Sequence, residues 1–104
     1  MKKIIRVIVK RPGESATDEL IPNTLKALQE LVGGYIEVVR VFDDAVVICN
    51  EEGRIMGLPH NCEICGYGFV GTIVIAGTRG EDFADVPIRA QMANESRLIK
   101  EVYA

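Results

Sequence analysis

Two hydrophobic periods alternate along this chain, and the switches between them mark its elements. Ile4-Ile5-Arg6-Val7-Ile8-Val9-Lys10 is dense in β-branched residues, which fit a pleated surface. Ile5, Val7 and Val9 fall on one face, and Arg6 and Lys10 share the other with Ile4 and Ile8. The pattern predicts a strand with one face in a core. Arg11-Pro12-Gly13 ends it, because proline cannot donate and glycine supplies a turn. A short extended segment is expected from Asp18 to Ile21. Leu25, Leu28 and Val32, joined by Leu31, then recur at helical spacing, while Lys26, Gln29 and Glu30 fall on the wet side. Asn23 is the expected N-cap, its side-chain oxygen accepting a free helical N–H. Gly33 fits the left-handed position that closes helices.

Gly34 releases the chain into a strand, Tyr35 to Val41. With the turn Asp43-Asp44 and a return strand from Ala45 to Cys49, this predicts a hairpin. Glu51-Glu52-Gly53 reads as a further turn, Arg54-Ile55-Met56 as a short strand, and Gly57 to Gly68 as irregular. Phe69 to Ala76 is the last strand. It is apolar on both faces at its end, which predicts a central place in the sheet. The helix would cover one side, and a second helix or a partner chain the other. Ile88, Met92, Ile99 and Val102 approximate one helical stripe, and Pro87 suits a first turn. They predict a C-terminal helix, whole or broken, from about Val86 to Tyr103. The expected fold is α+β in a single domain over residues 1–104. It has a small, mainly antiparallel β-sheet, one short helix after the first strands and a C-terminal helix.

Composition narrows the function. The 12 basic and 15 acidic residues leave a net charge of −3, which argues against a general binder of duplex nucleic acid. Lys2, Lys3, Arg6, Lys10 and Arg11 make the N-terminus locally basic, and this reads as a strand edge kept soluble by charge. No apolar stretch approaches the roughly 20 residues of a membrane span. The short apolar run after Met1-Lys2-Lys3 is interrupted by Arg6 and followed by no cleavage site. A cytoplasmic protein without a membrane partner is expected. Cys49, Cys62 and Cys65 are an odd number and fit free thiols in a reducing compartment.

Candidate chemistry is sparse. His60, Cys62 and Cys65 form HNCEIC, and CxxC lets two sulfurs converge on one zinc ion, with Cys49 as a conceivable fourth ligand. A strong zinc signal has two such pairs; this chain has one, so two small, partly buried loop residues are the plainer reading, and no metal is expected. A redox CxxC would open a helix, whereas Gly66-Tyr67-Gly68 reads as a turn. Gly77-Thr78-Arg79-Gly80 follows a buried strand. Its amides, the Thr78 hydroxyl and Arg79 could hold an anion; the alternative is a glycine-rich turn with a solvated arginine. Glu81, Asp82 and Asp85 read as loop solvation. His60 is the single histidine, and no serine lies in a nucleophile-elbow context. No catalytic residue, no cofactor and no enzymatic activity are expected.

Three blocks carry a resemblance: LQELVGGYIE at Leu28 to Glu37, CNEEGRIMGLPHN at Cys49 to Asn61, and IVIAGT at Ile73 to Thr78. In this order they resemble a small domain-of-unknown-function family of bacteriophages and conjugative elements of Firmicutes. They cover most of residues 24 to 83. The family pattern has arginine after GLPxN, where this chain has Cys62. The resemblance implies a phage or mobile-element accessory protein acting in the host bacterial cell. Such proteins often inhibit host defence, some by sequestering nucleotide-derived signals as sponges. That role needs a rigid pocket with phosphate-binding groups, often completed by a second subunit of a homo-oligomer. Candidate ligand residues are Tyr35, Pro59, His60, Asn61, Thr78 and Arg79. Asn61 could equally make a loop-stabilising bond to backbone. The leading expectation is a non-enzymatic binder of a nucleotide-like small molecule. One alternative is an inhibitor that docks a host protein by strand addition. Another is a small hydrolase or phosphodiesterase using His60 and the acidic loop.

Overall fold

A computed structural model describes residues 3–101. The expected basic residue Lys2, and the end of the expected C-terminal helix with Val102 and Tyr103, lie outside this range. The chain starts with β1 (Ile4–Lys10) and β2 (Thr17–Pro22), paired antiparallel, and then α1 (Leu25–Val32). The hairpin β3 (Ile36–Arg40) and β4 (Ala45–Asn50) follows. Next come β5 (His60–Ile64), β6 (Tyr67–Val70), β7 (Ile73–Arg79) and β8 (Asp82–Ala84), and finally α2 (Ala90–Glu95) and β9 (Ile99–Glu101). The architecture is α+β, and all strand pairings among the described residues are antiparallel.

The larger sheet runs β2-β1-β7-β4-β3, with β8 beside the far end of β7. The smaller runs β6-β5-β9. β7 is central, as its two apolar faces predict: it pairs with β1 and β8 on one side and β4 on the other. Two cores lie on its two faces. Leu28 and Val32 of α1 pack on Ile5, Val7, Val9, Val46, Ile48 and Val74. On the opposite face Ile8, Val47, Ile73 and Ile75 meet Cys62, Ile64 and Phe69 of the smaller sheet and Ala90 and Ala93 of α2. The second face of β1 is therefore also buried, contrary to the one-faced strand expected. The cover on that side is a second sheet with a short helix against it.

Several local expectations are corrected. Thr24, not Asn23, caps α1, its Oγ1 accepting from Ala27 N at 3.1 Å; Asn23 instead donates through Nδ2 to Phe83 O. Arg54 to Met56 belong to a run of turns, not a strand. Asn50 holds that run by accepting Glu52 N and donating to Val32 O. Residues 57–68 are not irregular throughout, since β5 and the start of β6 occupy 60–64 and 67–68. Cys65-Gly66 is a two-residue turn with both φ positive, 51° and 83°, as tight hairpins require. The single strand expected from Phe69 to Ala76 breaks at Gly71 (φ 72°), where the chain crosses from one sheet to the other. β7 then continues through Gly77 and Thr78 to Arg79, so these three residues are strand and not loop. Gly77 is required there: a Cβ would collide with the carbonyl of Asp85.

The C-terminal helix is real but short. It covers only Ala90–Glu95. Ser96 stops it by accepting Leu98 N on its hydroxyl, a local bond that competes with helix. Ile99 then lies opposite Ile64 in β9, so part of the apparent helical stripe is one side of a strand.

The two sheets are latched at one point. Lys10 is fully buried, with no solvent exposure. Its ammonium donates to Arg11 O and Asn61 Oδ1 at 3.1 Å each, and meets Glu101 Oε1 at 3.0 Å. Three donors thus find three acceptors. Asn61 Nδ2 donates to Lys10 O and Gly71 O, both at 2.7 Å, and Gly71 N donates to Pro59 O. Removing the amide would leave two carbonyls and one ammonium proton unmatched in a buried site. Asn61→Ala is therefore expected to lower stability by about 2–4 kcal/mol, whereas an exposed neighbour such as His60→Ala should change it by less than about 0.5 kcal/mol. Urea unfolding followed by circular dichroism checks both.

Candidate functional site

The candidate ligand residues fall into three separate places. Pro59, His60 and Asn61 enter β5, with Pro59 and His60 exposed and Asn61 buried. All of Asn61's hydrogen-bonding groups serve the latch, so it takes the backbone-stabilising role. Thr78 and Arg79 stand at the other end of β7. Five and six strand steps from Ile73 put them roughly 16–20 Å away. Thr78 N donates to Asp44 O, and Arg79 is exposed beside the β7–β8 turn. Tyr35, 68% exposed, lines a shallow cleft of about 290 Å³ with Gln29, Gly34, Asn50, Glu52 and Met56. Asn61 and Arg79 do not share a cleft.

The HNCEIC segment is likewise spread out. Cys62 packs in the core, while His60 and Cys65 are exposed, Cys65 in the turn after β5. Among the described residues no three His, Cys, Asp or Glu side chains are grouped to hold a metal ion. No helix among them is long and apolar enough to cross a membrane.

A different site emerges between the sheets. β3 is an edge of the larger sheet and β6 an edge of the smaller. The gap between them, floored by β4 and closed by the 51–55 turn, is a cleft of about 380 Å³. Glu37 and Val39 form one wall, Tyr67, Gly68 and Phe69 the other, and Cys49, Glu51 and Arg54 the floor and end. Arg54 is positioned by donating from Nη2 to Gly68 O at 2.9 Å, which spends one of its five N–H groups. Cys49 Sγ faces Glu37 Oε1 at 4.0 Å. Sequence reasoning missed this site because it needs β6, and β6 was hidden by an unusual Cys-Gly turn. Glu37 and Arg54 carried no signal without their cross-sheet neighbours.

The two buried thiols are electrostatically quiet. Desolvation pushes Cys49 up to about 11, with the Glu37 charge adding and Arg54 opposing. Desolvation also pushes Cys62 up to about 11, with Lys10 opposing and Glu101 adding. Both remain neutral thiols at physiological pH and are poor nucleophiles. Because the folded values lie above the unfolded ones, their contribution to stability is whole below about pH 9 and is lost as pH rises through about 11. At pH 8, iodoacetamide is expected to alkylate Cys65 in the native protein and to reach Cys49 and Cys62 only in denaturant. Peptide mass spectrometry reads the three sites separately.

A family model described as a domain of unknown function (DUF3846) matches residues 5–99. No curated protein matches the chain, and no solved structure does. The matched span begins at the first buried residue of β1 and ends at the start of β9, so it takes in most of both sheets, the inter-sheet cleft, and Lys10 and Asn61 of the latch but not Glu101. The chain belongs to the DUF3846 family.

Proposed function

We propose that this chain is a non-enzymatic binding module that holds a nucleotide-derived small molecule in the cleft between β3 and β6. The observation that carries the reading is the cleft's lining. One guanidinium, an exposed tyrosine ring and two carboxylates face a space of small-molecule size. Arg54 supplies paired N–H donors for phosphate. Tyr67 offers a ring face to a base. Glu37 and Glu51 accept from ribose hydroxyls or base amino groups. The reading keeps the chemistry expected from the sequence but assigns it mainly to Arg54 and Tyr67. Tyr35, in the adjoining cleft across Asn50, stays available to an extended ligand.

A holding role is favoured over turnover. His60 is not among the residues lining the cleft, and the Cys49 thiol is held neutral. The LQELVGGYIE, GLPxN and IxxxGT blocks suggest a phage or mobile-element accessory protein of Firmicutes, acting in the host cytoplasm as an anti-defence sponge. Within those blocks Leu28, Val32 and Asn61 have structural jobs, whereas Tyr35, Glu37, Glu51 and Arg54 are exposed around the two clefts. A second copy closing over the cleft mouth would complete the enclosure.

One observation favours a second reading. Among the described residues the outer edge of β3 has no pairing strand, and it carries Val38, 46% exposed, so a host protein could add a strand there. A single experiment separates the readings. The protein is purified from phage-challenged host cells and heat-denatured, and the released small molecules are identified by mass spectrometry. An intact nucleotide derivative is expected, and Arg54→Ala should reduce its recovery at least tenfold while leaving the melting temperature of the ligand-free protein within a few degrees. An altered product would point to an enzyme. A bound host polypeptide with no nucleotide would point to the β3 edge.

A further inference from the structure

A second pocket lies on the same face of the hairpin as the inter-sheet cleft, but at its turn end. It has a volume of about 290 Å³ and lies between Ala45 and Ile75 of the larger sheet, Phe42, the segment Val86-Pro87-Ile88, and Met92 and Leu98 around α2. Its deep surface is buried and apolar: Ala45, Ile75 and Val86 have almost no exposure to solvent. Met92 stands exposed at its mouth.

The pocket is held open by polar clamps outside it. Arg6 N donates to Asp85 Oδ1 at 2.8 Å, and Val86 N donates to Arg6 O at 2.9 Å. The Arg6 guanidinium donates to Val86 O at 2.6 Å and Ile88 O at 3.0 Å, and pairs with Asp18 at 2.8 Å. Asp18 in turn accepts Ala90 N at 3.0 Å. The outer wall is thus tied to β1 and β2 at both ends and cannot sink onto Ile75 and Phe42.

Its polar groups define the occupant. The Ser96 hydroxyl is engaged with Ala93 O and Leu98 N. Asp44 uses its backbone carbonyl for Thr78 N, but its carboxylate has no hydrogen-bond or ion-pair partner among the described residues. The pocket therefore offers an apolar body and one negative acceptor. We propose that it binds a small amphiphilic amine, with one or two fused rings in the pocket and an ammonium group on Asp44. Benzene occupies an engineered cavity of about 150 Å³, so a two-ring body suits this volume. The site is independent of the inter-sheet cleft.

Three probes of one shape test it: 2-(1-naphthyl)ethylamine, 1-ethylnaphthalene and 1-naphthylacetate, titrated into the full chain and followed by methyl and amide NMR. The amine should bind tightest, with shifts confined to Phe42, Ala45, Ile75, Val86, Met92 and Leu98. Asp44→Asn should weaken the amine about fivefold, the size of one exposed ion pair, and leave 1-ethylnaphthalene unchanged. Met92→Trp, at an exposed position where folding is not at stake, should plug the mouth and abolish binding of all three. Arg54→Ala should alter none of these affinities. Equal binding of the amine and the acetate, shifts centred elsewhere, or the same residues shifting with protein concentration alone would each overturn the proposal, the last by making the pocket a contact between copies.

Discussion

One buried ammonium holds the two sheets in register. Burying a charge away from water is unfavourable by several kcal/mol unless every donor is matched. Lys10 meets that condition only where β1, β5 and β9 converge, because its acceptors come from Arg11, Asn61 and Glu101. Apolar contacts between the layers would tolerate a slide of one sheet over the other. A triply bonded ammonium does not, since any shift strands a proton. Asn61 extends the constraint to Gly71 and Pro59, the point where the chain changes sheets. The open gap between β3 and β6 follows from this register: the latch fixes the layers on one side of the molecule and leaves the opposite edges apart.

The latch also changes how the GLPHN segment is read. Proline, glycine and an amide side chain close together suggest a ligand loop. Here they form the crossing between two layers, with Leu58 packed so closely on Gly71 that a Cβ there would strike it. Chemistry-bearing residue types were consumed by architecture. The surface left for recognition is built from ordinary-looking positions: a glutamate on an edge strand, an arginine in a turn, a tyrosine after a tight hairpin.

Much of the larger sheet was legible in the sequence because each of its elements is local. Ile4 to Val9, the Leu25–Val32 stripe with Gly33, and the hairpin around Asp43-Asp44 each satisfy their own period, and β7 showed its central place by being apolar on both faces. The smaller sheet was not legible. β5 alternates weakly, its turn uses Cys65 where asparagine or aspartate is usual, and β9 is three residues long. Lys10 read as a solvated edge residue because its side-chain partners, Asn61 and Glu101, lie far away in sequence. The cleft was invisible for the same reason, as its walls belong to different sheets.

The order of strands sets how this chain must be made. β1 emerges well before β7, yet β7 is its inner neighbour, and β4 also waits for β7 to fill the centre of the larger sheet. The smaller sheet is completed only when β9 joins β5. Two hairpins can form early, but neither core can close before the second half of the chain is synthesised. Such non-local pairing slows folding and leaves apolar strand faces uncovered meanwhile. The nascent polypeptide should therefore gain its resistance to proteolysis abruptly, once β7 is free to enter.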